Sequence, residues 1–311
     1  MIEVVKYSAN YKDAWDDFVR ASKNGTFMLH RDYMDYHADR FEDHSLLFYR
    51  KGKLVALLPA NVVGTEVQSH GGLSYGGIVS GASMKAQLML DVFDAMLLYY
   101  RALSFEAINY KVIPHIYHQH PAEEDLYALF RNDATLYRRD LNTVISLQNR
   151  LPYNTFRKRK LNLAAQQCIK VGQSQNYRAF LTISRQILAD KYNTTPAHTA
   201  DELELLASCF PGNIKLYTAE KDGHLLAGIL IYETATVSHC QYIATSLEGQ
   251  QLSALDLLTN YLISEVFAHR LYFSFGVSTE QQGTYLNQNL ILNKESYGGR
   301  AVVQDFYRIT L

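Results

Sequence analysis

Three features of the sequence predict a mixed α/β protein built from two consecutive copies of one sheet-and-helix unit. Residues 46–58, LLFYRKGKLVALL, and 216–231, LYTAEKDGHLLAGILI, are both strand–turn–strand runs, the second turning on the strong hairpin pair Asp222-Gly223. Ser69-His70 closes the next segment of the first half and Ser238-His239 that of the second; Gly52 and Gly223 are 171 positions apart, the two Ser-His pairs 169. Each half ends on a strand carrying an aspartate, Asp140 in RRDLNTVISL and Asp305 in VQDFYRITL. A near-constant offset marks a duplication, with a period too long for a solenoid. The expected domains are 1–150 and 151–311, each a mixed twisted sheet flanked by helices; 311 residues suit about two domains.

The remaining elements follow in the same order in both halves. After each Ser-His comes a short strand or a glycine-rich loop, then a helix. In 84–103, Leu88, Val92, Ala95, Met96, Tyr99 and Leu103 keep helical spacing; in 252–269, Leu255, Leu258, Leu262 and Val266 do so. Each helix leads to a strand, FEAINYKVI or LYFSFGV, then a loop and a second helix, AEEDLYALFRN or YLNQNLILNKESYG. A further helix is expected at Asp201, after the loop TPAHT at 195–199.

Composition excludes several classes. Hydrophobic residues at 48% and charged residues at 20% describe a soluble globular chain with a large core. A net charge of −1 supplies no global field toward nucleic acid or membrane, so any polyanion site must be local. Cys168, Cys209 and Cys240 lie far apart without CxxC spacing, as expected of reduced, mostly buried thiols in a cytoplasmic protein. The opening MIEVVKYSAN lacks the apolar core of a signal peptide, and no apolar stretch reaches the length of a spanning helix. His115, His118 and His120 stand in a proline-bounded loop without an acidic ligand pattern; the loop reads as surface and no metal is expected. No GxSxG, P-loop or GxGxxG stands in a fitting context, which counts against a hydrolase, kinase or Rossmann oxidoreductase.

Four regions offer chemistry. The strand at 271–277 runs into Ser278-Thr279-Glu280, hydroxyls and a carboxylate that can face an amine, although turn geometry explains the same residues. Between the halves Arg150, Arg157, Lys158, Arg159 and Lys160 make five of eleven residues basic. Arg157, Lys158 and Lys160 are the candidate clamp for a phosphate; a solvated helix start is the alternative. His239 and Gln241 alternate along the strand-like run 237–244, and Tyr242 and Phe275 complete the candidate substrate-binding set. His198 is a weaker pocket candidate.

The order of elements in each half resembles the GNAT (Gcn5-related acyltransferase) fold, and the tandem arrangement resembles its Fem-type (FemABX) branch. The matching pieces are VSHCQYIATSLEGQQLSALDLLTNYLI (237–263) and LYFSFGVSTEQQGTYLNQNLILNKESYGG (271–299), whose Asn293–Gly298 end is similar to the branch's FK-x-x-[FY]-G. The basic NTFRKRKLNLAAQQCIKV (154–171) is similar to the helix preceding the branch's second domain. The resemblance covers nearly the whole chain.

It implies transfer of an acetyl or aminoacyl group from an activated ester or thioester to an amine, with the second lobe active. Lys294 takes the role of the cation that stabilises the tetrahedral oxyanion, and Ser278, Thr279 and Glu280 are further catalytic candidates. The amine attacks directly, since no nucleophile constellation is visible. CoA-using members carry [QR]-x-x-G-x-[GA] where this chain has SLEGQQLSALDL, so Gly249, Gln250, Gln251 and Ser253 are the candidate cofactor contacts on a degraded signature. The expected co-substrate is acyl-CoA or aminoacyl-tRNA, neither tightly bound, and the implied acceptor is a peptidoglycan precursor or another cell-envelope amine. Two alternatives stay open: a CoA-dependent N-acetyltransferase acting on a small amine or sugar, and a non-catalytic binding module for a phosphorylated ligand. The expected partners are a phosphate-bearing donor or acceptor, and tRNA where it carries the donor; the expected state is a monomer or weak dimer.

Overall fold

Both hairpin signals fold as read, because each supplies a residue able to turn the chain: Gly52 and Gly223 adopt φ of 72° and 81°. The structure, a computed structural model, describes residues 1–192 and 197–311. They fall into two compact units: Met1–Asp140 with Gln281–Tyr285 and Val303–Leu311, and Leu141–Glu280 with Leu286–Val302.

In the first unit β1 (Ile2–Lys6), β2 (Leu46–Arg50) and β3 (Lys53–Leu58) pair antiparallel in that order. A second hairpin joins β4 (Asn61–Val63) to β5 (Glu66–Gln68). β5 then runs parallel to β6 (Ala107–Lys111), and a parallel pair needs a crossover, here α2 (Ala86–Ala102). Its buried stripe includes Leu88, Val92, Phe93, Met96 and Tyr100, which join Leu46, Phe48, Leu58, Ile108 and Tyr110 in one core. The amphipathic α1 (Lys12–Ala21) buries Trp15 and Val19, and α3 (Glu124–Arg131) leads into β7 (Thr135–Ser146).

The second unit begins with α4 (Thr155–Ala165), β8 (Lys170–Ser174), α5 (Tyr177–Tyr192) and α6 (Ala200–Cys209). A capping box of Thr199 and Glu202 starts α6; Thr195 and Pro196 of the preceding loop lie outside the described residues. β8, β9 (Ile214–Lys221), β10 (His224–Glu233) and β11 (Val237–Thr245) form an antiparallel meander. The crossover consists of α7 (Leu247–Gln251) and α8 (Ala254–Tyr261), extended by a π turn over Leu262–Val266. It returns the chain to β12 (Tyr272–Val277), parallel to β11. α9 (Gln288–Glu295) and β13 (Arg300–Thr310) complete the chain. Ile229, Ile231, Leu258, Leu262, Phe273 and Tyr297 lie in this unit's core.

The units repeat one pattern of hairpin, parallel pair around a helical crossover, and antiparallel last strand. The last strands are exchanged. Residues 142–146 of β7, from the first copy, pair with β12 in the second unit, and residues 306–310 of β13 pair with β6 in the first. The compact units therefore differ from consecutive halves of 1–150 and 151–311, since hydrogen-bonded pairing, invisible in local sequence, decides where each last strand belongs. The thiols also differ from expectation: Cys168 and Cys209 are exposed and only Cys240 is buried. Among the described residues no helix is long and apolar enough to cross a membrane.

Candidate active site

β11 and β12 make a short parallel ladder and then part. Val237, Ser238 and His239 pair with Tyr272, Phe273 and Ser274, and the ladder stops there although both strands continue. Two irregularities open it. A register shift between Leu230 and Ile231 leaves Gln241 without an opposite residue, and another between Ser274 and Val277 places Gly276 in a bulge with φ of 72°. The bulge at Gln241 also breaks the expected alternation of His239 and Gln241. Parted strands leave an edge where backbone groups are available to a bound molecule.

The groups at the parting are specific. His239 Nδ1 lies 3.1 Å from Ser274 Oγ, and the Gly276 N–H donates to the same oxygen at 3.2 Å. Burial, helped by the nearby Lys294 charge, pulls the His239 imidazole down to about 4, so it is neutral at pH 7. Lys294, on the last turn of α9, reaches across with its ammonium and donates to the carbonyl oxygens of Gly276 at 3.0 Å and Val277 at 2.6 Å. It is 6% exposed, and burial lowers it to about 8. An ammonium has three donors; two are used here.

The other sequence candidates scatter. Ser278 is 1% exposed: its N–H donates to Leu141 O, its carbonyl accepts from Asn287 N, and its hydroxyl lies 3.4 Å from Thr143 Oγ1. It ties the strand end down and does not face outward, so the polar run after β12 is in part a structural knot. Thr279 Oγ1 accepts from the Leu141 N–H at 3.2 Å, and the exposed Glu280 accepts from Asn287 Nδ2 at 2.7 Å. Phe275 is buried against Phe273 and Tyr297, so it packs the core and does not line a substrate cleft. Tyr242 is half-buried with its hydroxyl 2.6 Å from His198 Nδ1, and burial raises it to about 12.

The basic helix also divides. Lys158 and Arg159 are exposed and Lys160 half-buried, but Arg157 is turned inward. Its guanidinium pairs with Asp256, donates to Ser296 Oγ at 2.7 and 3.0 Å and to Asn293 O at 3.2 Å, and lies 3.8 Å from the Tyr297 ring centroid. Those bonds consume the donors that a phosphate clamp requires, which removes Arg157 from the expected set. Asp256 and Ser296, which hold it, were not candidates in the sequence, although Ser296 lies within the Asn293–Gly298 segment.

The candidate cofactor loop is shaped by packing. A Cβ at Gly249 would lie 2.2 Å from Leu226 O, and its N–H donates to the helix-capping Ser246 Oγ at 3.0 Å. Ser253 is buried with φ of 57° at the start of α8, whereas Gln250 and Gln251 are exposed. Gln250 borders a cavity of about 390 Å³ lined mainly by Ile183, Ile187, Leu225, Leu247 and Glu248. The carboxylate of Glu248 stands in the first turn of α7, where a pyrophosphate would need positive potential.

Among the described residues the first unit has no such opening. Beyond its parallel ladder, the Lys111 N–H donates to Ser69 Oγ at 2.6 Å, Gly76 N to Lys111 O, and Ile78 N to the Tyr110 hydroxyl. Residues 69–78 thus fill, within the first unit, the place that corresponds to the parting of β11 and β12 in the second. Lys111 spends its ammonium on carbonyls of that loop, Leu73 O at 2.5 Å and His70 O at 3.4 Å.

Parted parallel strands after an antiparallel meander, with a helix crossover, agree with the comparisons. Residues 155–283 match the family model described as Acetyltransferase (GNAT) domain. A structure described as FemX covers 99% of this chain and 97% of its own at TM-score 0.71 and 11% identity. The C-terminal domain of a putative lysylphosphatidylglycerol synthetase from Agrobacterium fabrum gives TM-score 0.61 at 12% identity over 96% of this chain and 91% of that one. A tandem GNAT protein from the clavulanic acid biosynthesis pathway gives 0.52 at 10% identity over 100% and 98%. At such identities these structures show the fold: the chain has the Fem-type tandem GNAT architecture. The family match covers the segment that carries the parted strands. No curated protein sequence matches the chain.

Proposed function

We propose that the second unit transfers an aminoacyl group from an ester donor, as on charged tRNA, to an amine of a cell-envelope precursor. GNAT enzymes in general use acyl-CoA, but three features argue against a CoA pyrophosphate here: Gly249 is committed to packing, Ser246 caps the helix start, and Glu248 adds negative charge. The Fem-type resemblance implies the donor and the acceptor class.

The observation that carries the reading is Lys294. Two of its N–H groups are fixed on carbonyls at the parting of the strands, and the third is left to donate to an oxygen bound there. The amine lone pair attacks the ester carbonyl carbon, a C–N bond forms, and the carbonyl oxygen becomes an oxyanion that meets this N–H. Collapse breaks the C–O bond to the leaving alcohol, which takes up the proton the amine gives away. His239, neutral at pH 7, is the proton carrier at the same strand pair. Geometry held before the reaction makes such a donor worth more than one recruited from water.

Thermal-shift measurements with acetyl-CoA, uncharged tRNA and a nucleotide-linked muropeptide test the ligand classes. A concentration-dependent rise in melting temperature with tRNA or the muropeptide, absent with acetyl-CoA, is the expected outcome. A rise with acetyl-CoA alone transfers the assignment to a CoA-dependent N-acetyltransferase.

A further inference from the structure

We propose that Arg157 is a positioning residue: its guanidinium fixes the last turn of α9 so that the Lys294 ammonium reaches the parted strands. The inference rests on the transferase reading only for what Lys294 does there; the clamp is a matter of geometry.

α9 has eight residues, too few for an isolated helix to define its own end. What grips it therefore matters. Three groups at its C-terminal end meet Arg157, namely Asn293 O in the last turn, the C-cap Ser296 Oγ and the Tyr297 ring just beyond, which belong to the residue before Lys294 and the second and third after it. The far side of the guanidinium is held by Asp256 on α8, which also accepts from the Tyr297 hydroxyl at 3.4 Å. Arg157 itself is 3% exposed and anchored by its own N–H on the Asn154 side chain at 2.8 Å. A planar fork satisfies a carboxylate, a hydroxyl, a carbonyl and an aromatic face at once; an ammonium on a flexible stem does not. The lysine side chain, by contrast, is long and rotatable, so its reach depends on where the turn is held.

Selective ¹³Cε labelling of lysines, with the Lys294 signal assigned by its loss in Lys294→Met, reads that placement directly through the signal's pH titration. The wild-type midpoint is expected near 8. In Arg157→Lys the released turn exposes Lys294, and the midpoint rises toward the ordinary value of 10.5, at least a tenfold change in proton affinity. Ser296→Ala, which removes one link and spares the Asp256 pair, shifts it part of the way. Melting temperatures are recorded alongside. A wild-type midpoint in the folded Arg157→Lys variant, whatever its melting temperature, makes Arg157 a merely structural arginine and overturns the proposal. If Arg157→Lys does not fold, Ser296→Ala decides in the same way. The titration needs no substrate, so it can fail while the transferase reading stands. Full turnover by Lys294→Met would remove that reading and leave the clamp intact.

Discussion

The Lys294 ammonium sits 2.6 Å from the Val277 carbonyl oxygen and 3.0 Å from that of Gly276, which ties the end of α9 to the end of β12. A buried ammonium is costly, and among the described residues the Lys294 ammonium donates to two carbonyl oxygens and has no carboxylate partner. Such a placement suits a group that meets negative charge only as a reaction proceeds.

Lys294→Met keeps most of the side-chain volume and removes the charge. The expected loss is roughly 10²–10³ in kcat, with little change in ground-state binding. Steady-state kinetics with the donor found by thermal shift checks it. Turnover near the wild-type rate would move the assignment to Thr279 or Glu280, since Ser278 is buried.

Lys294 also predicts opposite pH trends for activity and stability. Its native value lies near 8, below the ordinary 10.5, so between those pH values the unfolded chain binds a proton that the native state does not. Stability must then rise with pH across that window, while transfer weakens as the cation is lost. Urea titrations and initial rates at pH 7 to 10, compared with Lys294→Met, separate the two. Loss of both together assigns the alkaline limb to unfolding.

His239 gives the acidic counterpart. Lowered from 6.5 to about 4, it makes native stability fall as pH drops through that interval, because the unfolded chain takes up the proton first. His239→Gln should flatten the fall; an unchanged acid profile would assign it to other groups.

Gly276 is required by its backbone. At φ of 72° an L-residue costs about 1–2 kcal/mol. A Cβ there would also lie 3.2 Å from His239 Cε1. Gly276→Ala is expected to destabilise by about that amount and to lower activity at temperatures where the protein stays folded. A neutral effect on both would mean that the bulge adapts.

The basic helix separates into two phenotypes. Arg157→Gln leaves Asp256 buried without its partner and should cost about 3–5 kcal/mol of stability, read by urea unfolding. Lys158→Gln with Lys160→Gln should leave stability within about 0.5 kcal/mol and weaken tRNA binding, an effect that shrinks as salt rises. Wild-type affinity in the double variant at every salt concentration would leave these lysines as solvated surface.

The repeated architecture was legible in the sequence because its signals are local. Asp222-Gly223 turns whatever surrounds it, Leu88 to Leu103 keeps a helical period, and Ser238-His239 marks a strand that can be aligned with Ser69-His70. Gly276 in a strand was a readable sign of a bulge as well. The Fem-type resemblance implies a catalytic role for Lys294, whereas its two carbonyl partners lie on β12, a different element.

What only the tertiary structure decided depends on which distant segments meet. Arg157 and Lys158 are adjacent and equally charged, yet one faces Asp256, 99 residues away, and the other faces solvent. Asp140 and Asp305 look alike, but pairing carries the strand around each into both compact units. In the first unit Ser69 and Gly76 close the place that stands open beside His239 in the second. Local sequence sets turns, periods and charges through the covalent chain; pairing and burial are set by hydrogen bonds and packing between segments whose sequences do not specify each other.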